Sequence, residues 1–158
     1  MTKAIVTTTA ETADSDQRPI SSDWVLDGSP KTRSRELARS HDLTSYAMAW
    51  ECTEGRFKWH YNKDETLVVL SGEAFITMET GEERRIGPGD VVFFPAGSSC
   101  TWRVTSYIRK VAFLRHTMPR PLGLAVIAWN KLLQAIGMAG KSPTMAAGSV
   151  KPENAPAN

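Results

Sequence analysis

The residues of this chain best suited to chemistry are one carboxylate and a set of aromatic rings. Phe57, Trp59 and Tyr61 alternate with Arg56, Lys58 and His60. Successive side chains of a β-strand point to opposite faces. The aromatic residues therefore share one face, expected inside, and the basic ones share the other, expected in water. Cys100, Trp102 and Val104 also share a face. If that face is interior, Phe57, Trp59, Tyr61, Cys100 and Trp102 line a pocket with Glu65 at its edge. Such a pocket suits a small molecule, and aromatic walls suit a cation or a planar ligand. The alternative is a filled core, since small barrels are often packed solid.

Glu65 is the candidate catalytic residue. Against aromatic rings its carboxylate loses solvation, which raises its pKa and suits it to acid–base work. The competing reading is a structural glutamate paired with an arginine or a turn amide. Asp64 reads as a solvated turn residue. Cys100 is a candidate soft ligand or nucleophile, but no cationic partner or helix terminus is evident to activate it, so a buried, inert thiol is expected. His41 and His116 fall at a turn and at the end of the barrel and form no triad. Arg84 and Arg85 follow Glu82 and Glu83 and read as a mixed-charge hairpin.

The elements that must position these residues are short β runs separated by turn signals. They are expected at 35–39, 45–52, 57–61, 66–70, 74–79, 83–86, 91–95, 101–105 and 108–115. The breaks include Ser71-Gly72, Thr80-Gly81 and the run from Gly87 to Asp90. Glycine supplies positive φ and proline presets φ, so these breaks are turns with a mechanism. Many strands without an intervening helix mean an antiparallel sandwich or barrel. After Pro119, Leu122, Val126, Trp129, Leu133 and Ile136 recur at helical spacing, and Gly137 closes the run. The expected order is a flexible arm over 1–20, a barrel over 21–116, a helix over 117–138 and a disordered tail over 139–158. The helix is expected to lay its apolar face on the barrel; a partner contact or a membrane-surface role is the alternative.

Composition limits the function classes. The chain has 158 residues, 41% apolar and 23% charged, with a net charge of +2. That is one domain's worth of ordinary globular sequence, without the basic footprint of a nucleic-acid binder. The longest apolar run, Leu122–Trp129, is far short of the ~20 residues a membrane helix needs. Two cysteines and no secretory leader pattern give the expectation of a reducing, cytoplasmic setting.

Two runs resemble known motifs. The run 55–65, from Gly55 through His60 to Glu65, followed by Gly72, resembles the first cupin motif. The run 89–100, with Gly89, Asp90, Pro95, Gly97 and Cys100, resembles the second. The stretch from Trp50 to Arg115 is most similar to the cupin branch that includes ureidoglycine aminohydrolase domains and ethanolamine-utilisation cupins. The resemblance implies an all-β fold, a small antiparallel jelly-roll barrel that is usually a homodimer. It also implies a small-molecule ligand, by analogy a ureido- or amine-containing metabolite, and either an enzyme or a non-catalytic sensor or interaction cupin.

Metal-bearing cupins use two histidines and a glutamate from the first motif and a histidine from the second. Glu65 holds the glutamate position. The histidine positions fall on Lys58 and His60 in one spacing and on Trp59 and Tyr61 in the other. Cys100 and Val104 stand at the later histidine and asparagine positions. The set that could hold a metal is therefore His60, Glu65 and Cys100. Strand alternation points His60 away from Glu65 unless a β-bulge re-aims it, so the expectation is no cofactor, or a weakly bound divalent metal.

Overall fold

The computed structural model describes residues 5–12 and 16–138. Two units are distinguished, Met1–Thr117 and Met118–Asn158. The first is built from antiparallel strands β1 (Asp16–Gln17), β2 (Val25–Gly28), β3 (Thr32–Arg39), β4 (Ser45–His60), β5 (Asp64–Met78), β6 (Glu83–Ile86), β7 (Val91–Phe94) and β8 (Ser99–Arg115). The sheet order is β1-β3-β4-β8-β5-β6, with β2 also paired to β4 and β7 to β5. The all-β, jelly-roll-like class expected from the turns and motifs is the class observed.

The strands differ from the expectation in one systematic way. Runs read as separate, 45–52 and 57–61, 66–70 and 74–79, 101–105 and 108–115, join into the long strands β4, β5 and β8. The apparent breaks are β-bulges: the pairing register shifts between Thr53 and Gly55 on β4, and between Val69 and Ala74 on β5. A bulge bends a strand without ending it. The one on β4 also resets side-chain parity. Cys52 faces the core before it and Phe57 after it, an odd number of residues apart. The bulge on β5 depends on Gly72. Its φ is +75°, and a Cβ there would sit 2.0 Å from the Tyr107 carbonyl oxygen, so no other residue fits without moving β8.

The inward positions of β4, β5 and β8 form one apolar core, with Phe57, Leu67, Val69, Trp102, Val104 and Ile108 almost fully buried. Phe57 and Trp102 stack in parallel, and Tyr61 stacks on Phe94. The segment read as an arm makes specific contacts. Asp16 and Gln17 pair with β3, and the buried Thr12 donates its hydroxyl to Glu51. Tyr107 donates to the same carboxylate, and Arg109 pairs with Glu11 at 2.9 Å.

The second unit contains α1 (Arg120–Ala135). Pro121 sits in its first turn, where a missing N–H costs nothing. Gly137, at φ 73°, closes it, and Met138 donates back to the Leu133 carbonyl. Taken by itself, α1 buries none of its residues. The expected tail at 139–158 lies outside the described residues. No helix among the described residues is long and apolar enough to cross a membrane.

Candidate functional site

On the inward face, the first half of β4 and the last half of β8 run side by side. Tyr46 pairs with Leu114, Met48 with Ala112 and Trp50 with Lys110. Glu65, near the start of β5, is opposite Leu114. These residues, with Trp59 from beyond the β4 bulge, line a cavity of about 640 Å³. Its rim carries Asp16 from β1, Arg18 just after it, and Glu36 and Arg39 from β3.

The wall of the cavity holds a buried ion pair. Lys110 Nζ donates to Glu65 Oε1 at 2.7 Å, and both side chains are 7% exposed. The ammonium also lies 4.8 Å from the ring centres of both Trp50 and Trp102, within cation–π range. Among the described residues nothing donates to the second carboxylate oxygen of Glu65, and the residue lines the cavity. The pair therefore shows the cavity one free charged acceptor beside indole surfaces. Trp50 meets Trp59 edge to face at 6.3 Å between centroids, and Trp24 backs Trp59 at 5.6 Å.

The expected pocket residues divide into two groups. Trp59 and Glu65 line the cavity. Phe57, Tyr61 and Trp102 lie beneath it in the packed core, where Trp102 Nε1 donates to the Tyr61 hydroxyl at 3.0 Å. Burial holds the Tyr61 hydroxyl well above the ordinary tyrosine range. Cys100 sits 3.9 Å from that hydroxyl, at the edge of another depression between β6 and β7. Burial raises its thiol pKa, against activation as a nucleophile. Cys52 is likewise pushed up to about 12 by burial.

The potential ligand set is not gathered. His60 is exposed on the opposite face and hydrogen-bonds Ser99 Oγ at 2.8 Å. No cluster of three or more His, Cys, Asp or Glu side chains able to hold a metal occurs among the described residues. The inward positions of the first motif are 59 and 61, and here they carry Trp and Tyr. The bulge lies upstream of this run, so it sets the aromatic face inward without re-aiming His60. Asp64 accepts the Ala96 amide at 3.0 Å and fixes the loop before β8.

Lys110 is the residue the sequence reading missed. Its signal was present. Ile108, Lys110, Ala112 and Leu114 occupy one parity of a strand, and a lone lysine among apolar inward positions is a buried charge that requires a partner. The structural reading of Glu65 named an arginine or a turn amide; the partner is this lysine.

The family model for EutQ-like cupin domains matches residues 39–112, which span both motifs, β4, β5, β6 and β7 and most of β8. These residues form a EutQ-like cupin domain. Solved structures share its fold. The EutQ protein of Clostridium difficile is 21% identical over 67% of this cupin and 80% of its own chain, with a TM-score of 0.55. A Pseudomonas syringae pv. tomato protein of unknown function is 22% identical over 63% of this chain and 43% of its own, with a TM-score of 0.59. The polyketide cyclase RemF from Streptomyces resistomycificus is 16% identical over 75% and 82%, with a TM-score of 0.53. At these identities the likeness is one of fold. No curated protein matches this cupin.

Proposed function

We propose that this cupin binds a small polar metabolite in the cavity between β4, β5 and β8, with Glu65 as the group that contacts it. The observation that supports this reading is a nearly buried carboxylate lining an indole-walled cavity, with Oε1 bonded to Lys110 and no donor to Oε2 among the described residues. A carboxylate so placed accepts a hydrogen bond from a ligand N–H or O–H and can accept the proton itself, which is the general-base role. Reaction on a small ureido- or amine-containing metabolite is the enzymatic form of the proposal.

A second reading, binding without catalysis, is favoured by the Lys110 pairing, because one carboxylate oxygen is already committed to the ammonium. The cavity is the same in both. A thermal-shift screen of small metabolites supplies a hit, which is then titrated against Glu65→Gln, Trp59→Ala and His60→Ala. A hydrogen bond to a charged group is worth about 1.5–3 kcal/mol. Glu65→Gln should therefore weaken binding about ten-fold to over a hundred-fold, and Trp59→Ala should weaken it along with stability. His60→Ala should leave it unchanged. A hit that binds the first two variants as tightly as the native chain sinks the reading. Turnover that survives Glu65→Gln removes the general-base role alone.

A further inference from the structure

Charge balance around the cavity speaks to the kind of molecule it accepts, on the reading that the cavity is the ligand site. An aromatic pocket with a lone carboxylate would favour an organic cation, because ring faces and the carboxylate both attract positive charge. Here Lys110 Nζ lies 2.7 Å from Glu65 and already occupies the faces of Trp50 and Trp102. A ligand cation brought to Oε2 would come within a few ångströms of that ammonium, and the repulsion would offset most of the attraction to Glu65. An anion would meet Glu65 itself. Two of the three rim arginines are compensated in the same way. Arg39 is paired with Glu36 and Arg18 faces Asp16 at 3.7 Å. Arg35, which also lines the cavity, has no carboxylate partner among the described residues; it donates to the Thr9 carbonyl at 2.6 Å and leaves its buried Nε unpaired, a donor that a ligand carbonyl oxygen can accept from.

The geometry points to an uncharged, planar ligand carrying an N–H donor, of the carboxamide or lactam class, with Lys110 as the residue that sets this preference. Such a molecule gains a hydrogen bond to a charged acceptor at Oε2 and lies against Trp50 and Trp59 with no like charge to oppose it.

Three probes of one shape test this. Benzamide, benzamidinium and benzoate are planar, nearly equal in size, and neutral, cationic and anionic. Each is titrated against the full chain, read by tryptophan fluorescence and by saturation-transfer NMR. Benzamide should bind the native chain at least ten-fold more tightly than either charged probe. Lys110→Met leaves Glu65 uncompensated and should make benzamidinium the tightest of the three. Glu65→Gln leaves Lys110 uncompensated, retains an acceptor for its ammonium, and should make benzoate the tightest. The second variant decides the matter if the first does not fold. A native chain that prefers a charged probe, or treats all three alike, overturns the proposed class. If that binding is lost in Trp59→Ala, the cavity stands as the ligand site and only the class falls. If none of the three probes binds the native chain or either variant, the class and the reading of Glu65 as a ligand contact fall together.

Discussion

Replacing Lys110 by methionine isolates the contribution of one buried charge. Methionine keeps an unbranched apolar stem of similar length, so packing between Trp50 and Trp102 is largely preserved. What is lost is the 2.7 Å bond to Glu65 and two ring contacts at 4.8 Å. Breaking a buried ion pair by removing one partner costs about 3–5 kcal/mol, because the survivor is left charged without compensation. Glu65 lines the cavity, so water relieves part of that cost and the low end, about 3 kcal/mol, is expected. In a β unit of this size that corresponds to roughly 10 °C or more in Tm. The double variant Glu65→Gln, Lys110→Met removes both charges and should recover most of the loss, to within about 1.5 kcal/mol of the native chain. Urea denaturation followed by tryptophan fluorescence measures all the variants on one scale. A Lys110→Met protein within about 1 kcal/mol of native, or a double variant no better than the sum of its singles, refutes the argument that the pair acts as a buried unit.

Three further outcomes are expected. Gly72→Ala should destabilise the barrel by at least about 2 kcal/mol, since positive φ alone costs a side chain ~1–2 kcal/mol and the Tyr107 carbonyl blocks the Cβ; thermal melts check it, and a near-native Tm contradicts the bulge geometry. The Asp42 carboxyl should titrate at about 2, held down by hydrogen bonds from Ser40 and from Thr44. Its contribution to stability is thus full above the ordinary aspartate range of about 3.9 and is lost as pH falls toward 2, which carbon-13 NMR titration reads directly. Neither Cys52 nor Cys100 should react with a thiol reagent at pH 8 in the native state, both being buried with raised pKa values; rapid native modification would contradict their burial.

Much of this was legible in the chain itself. Alternation from Phe57 to Tyr61 predicted which side chains turn inward, and the glycine and proline turns predicted the all-β class. Alternation does not show depth, however. Phe57, Trp59 and Tyr61 share a face, yet only Trp59 reaches the cavity, because depth depends on which strand lies across from each residue. Lys110 is separated from Glu65 by 45 positions. Their meeting depends on β5 and β8 being neighbours, and on a lysine stem long enough to run along the strand from its own cross-strand partner, Val69. Neither fact is local. The fused strands were missed for a related reason: glycine marks a bulge as readily as a turn, and only the pairing partner distinguishes them.

The parity reset on β4 makes this protein sensitive to the length of its chain at one place more than to its spelling. Phe57, Trp59 and Tyr61 face inward because an odd residue separates them from the row that ends at Cys52. Deleting a single residue among 53–55 would restore simple alternation. It would put Cys52 and Phe57 on one face without a bulge, but only four residues apart against the six that separate their partners Ile108 and Trp102, so the pairing of β4 with β8 would have to shift. Substitutions there would be absorbed singly, whereas a one-codon loss would pull one half of β4 further out of register with β8. Natural variation at this point should therefore be tolerant of residue identity and intolerant of deletions, apart from Gly55, where a Cβ would fall 2.8 Å from the Pro30 ring.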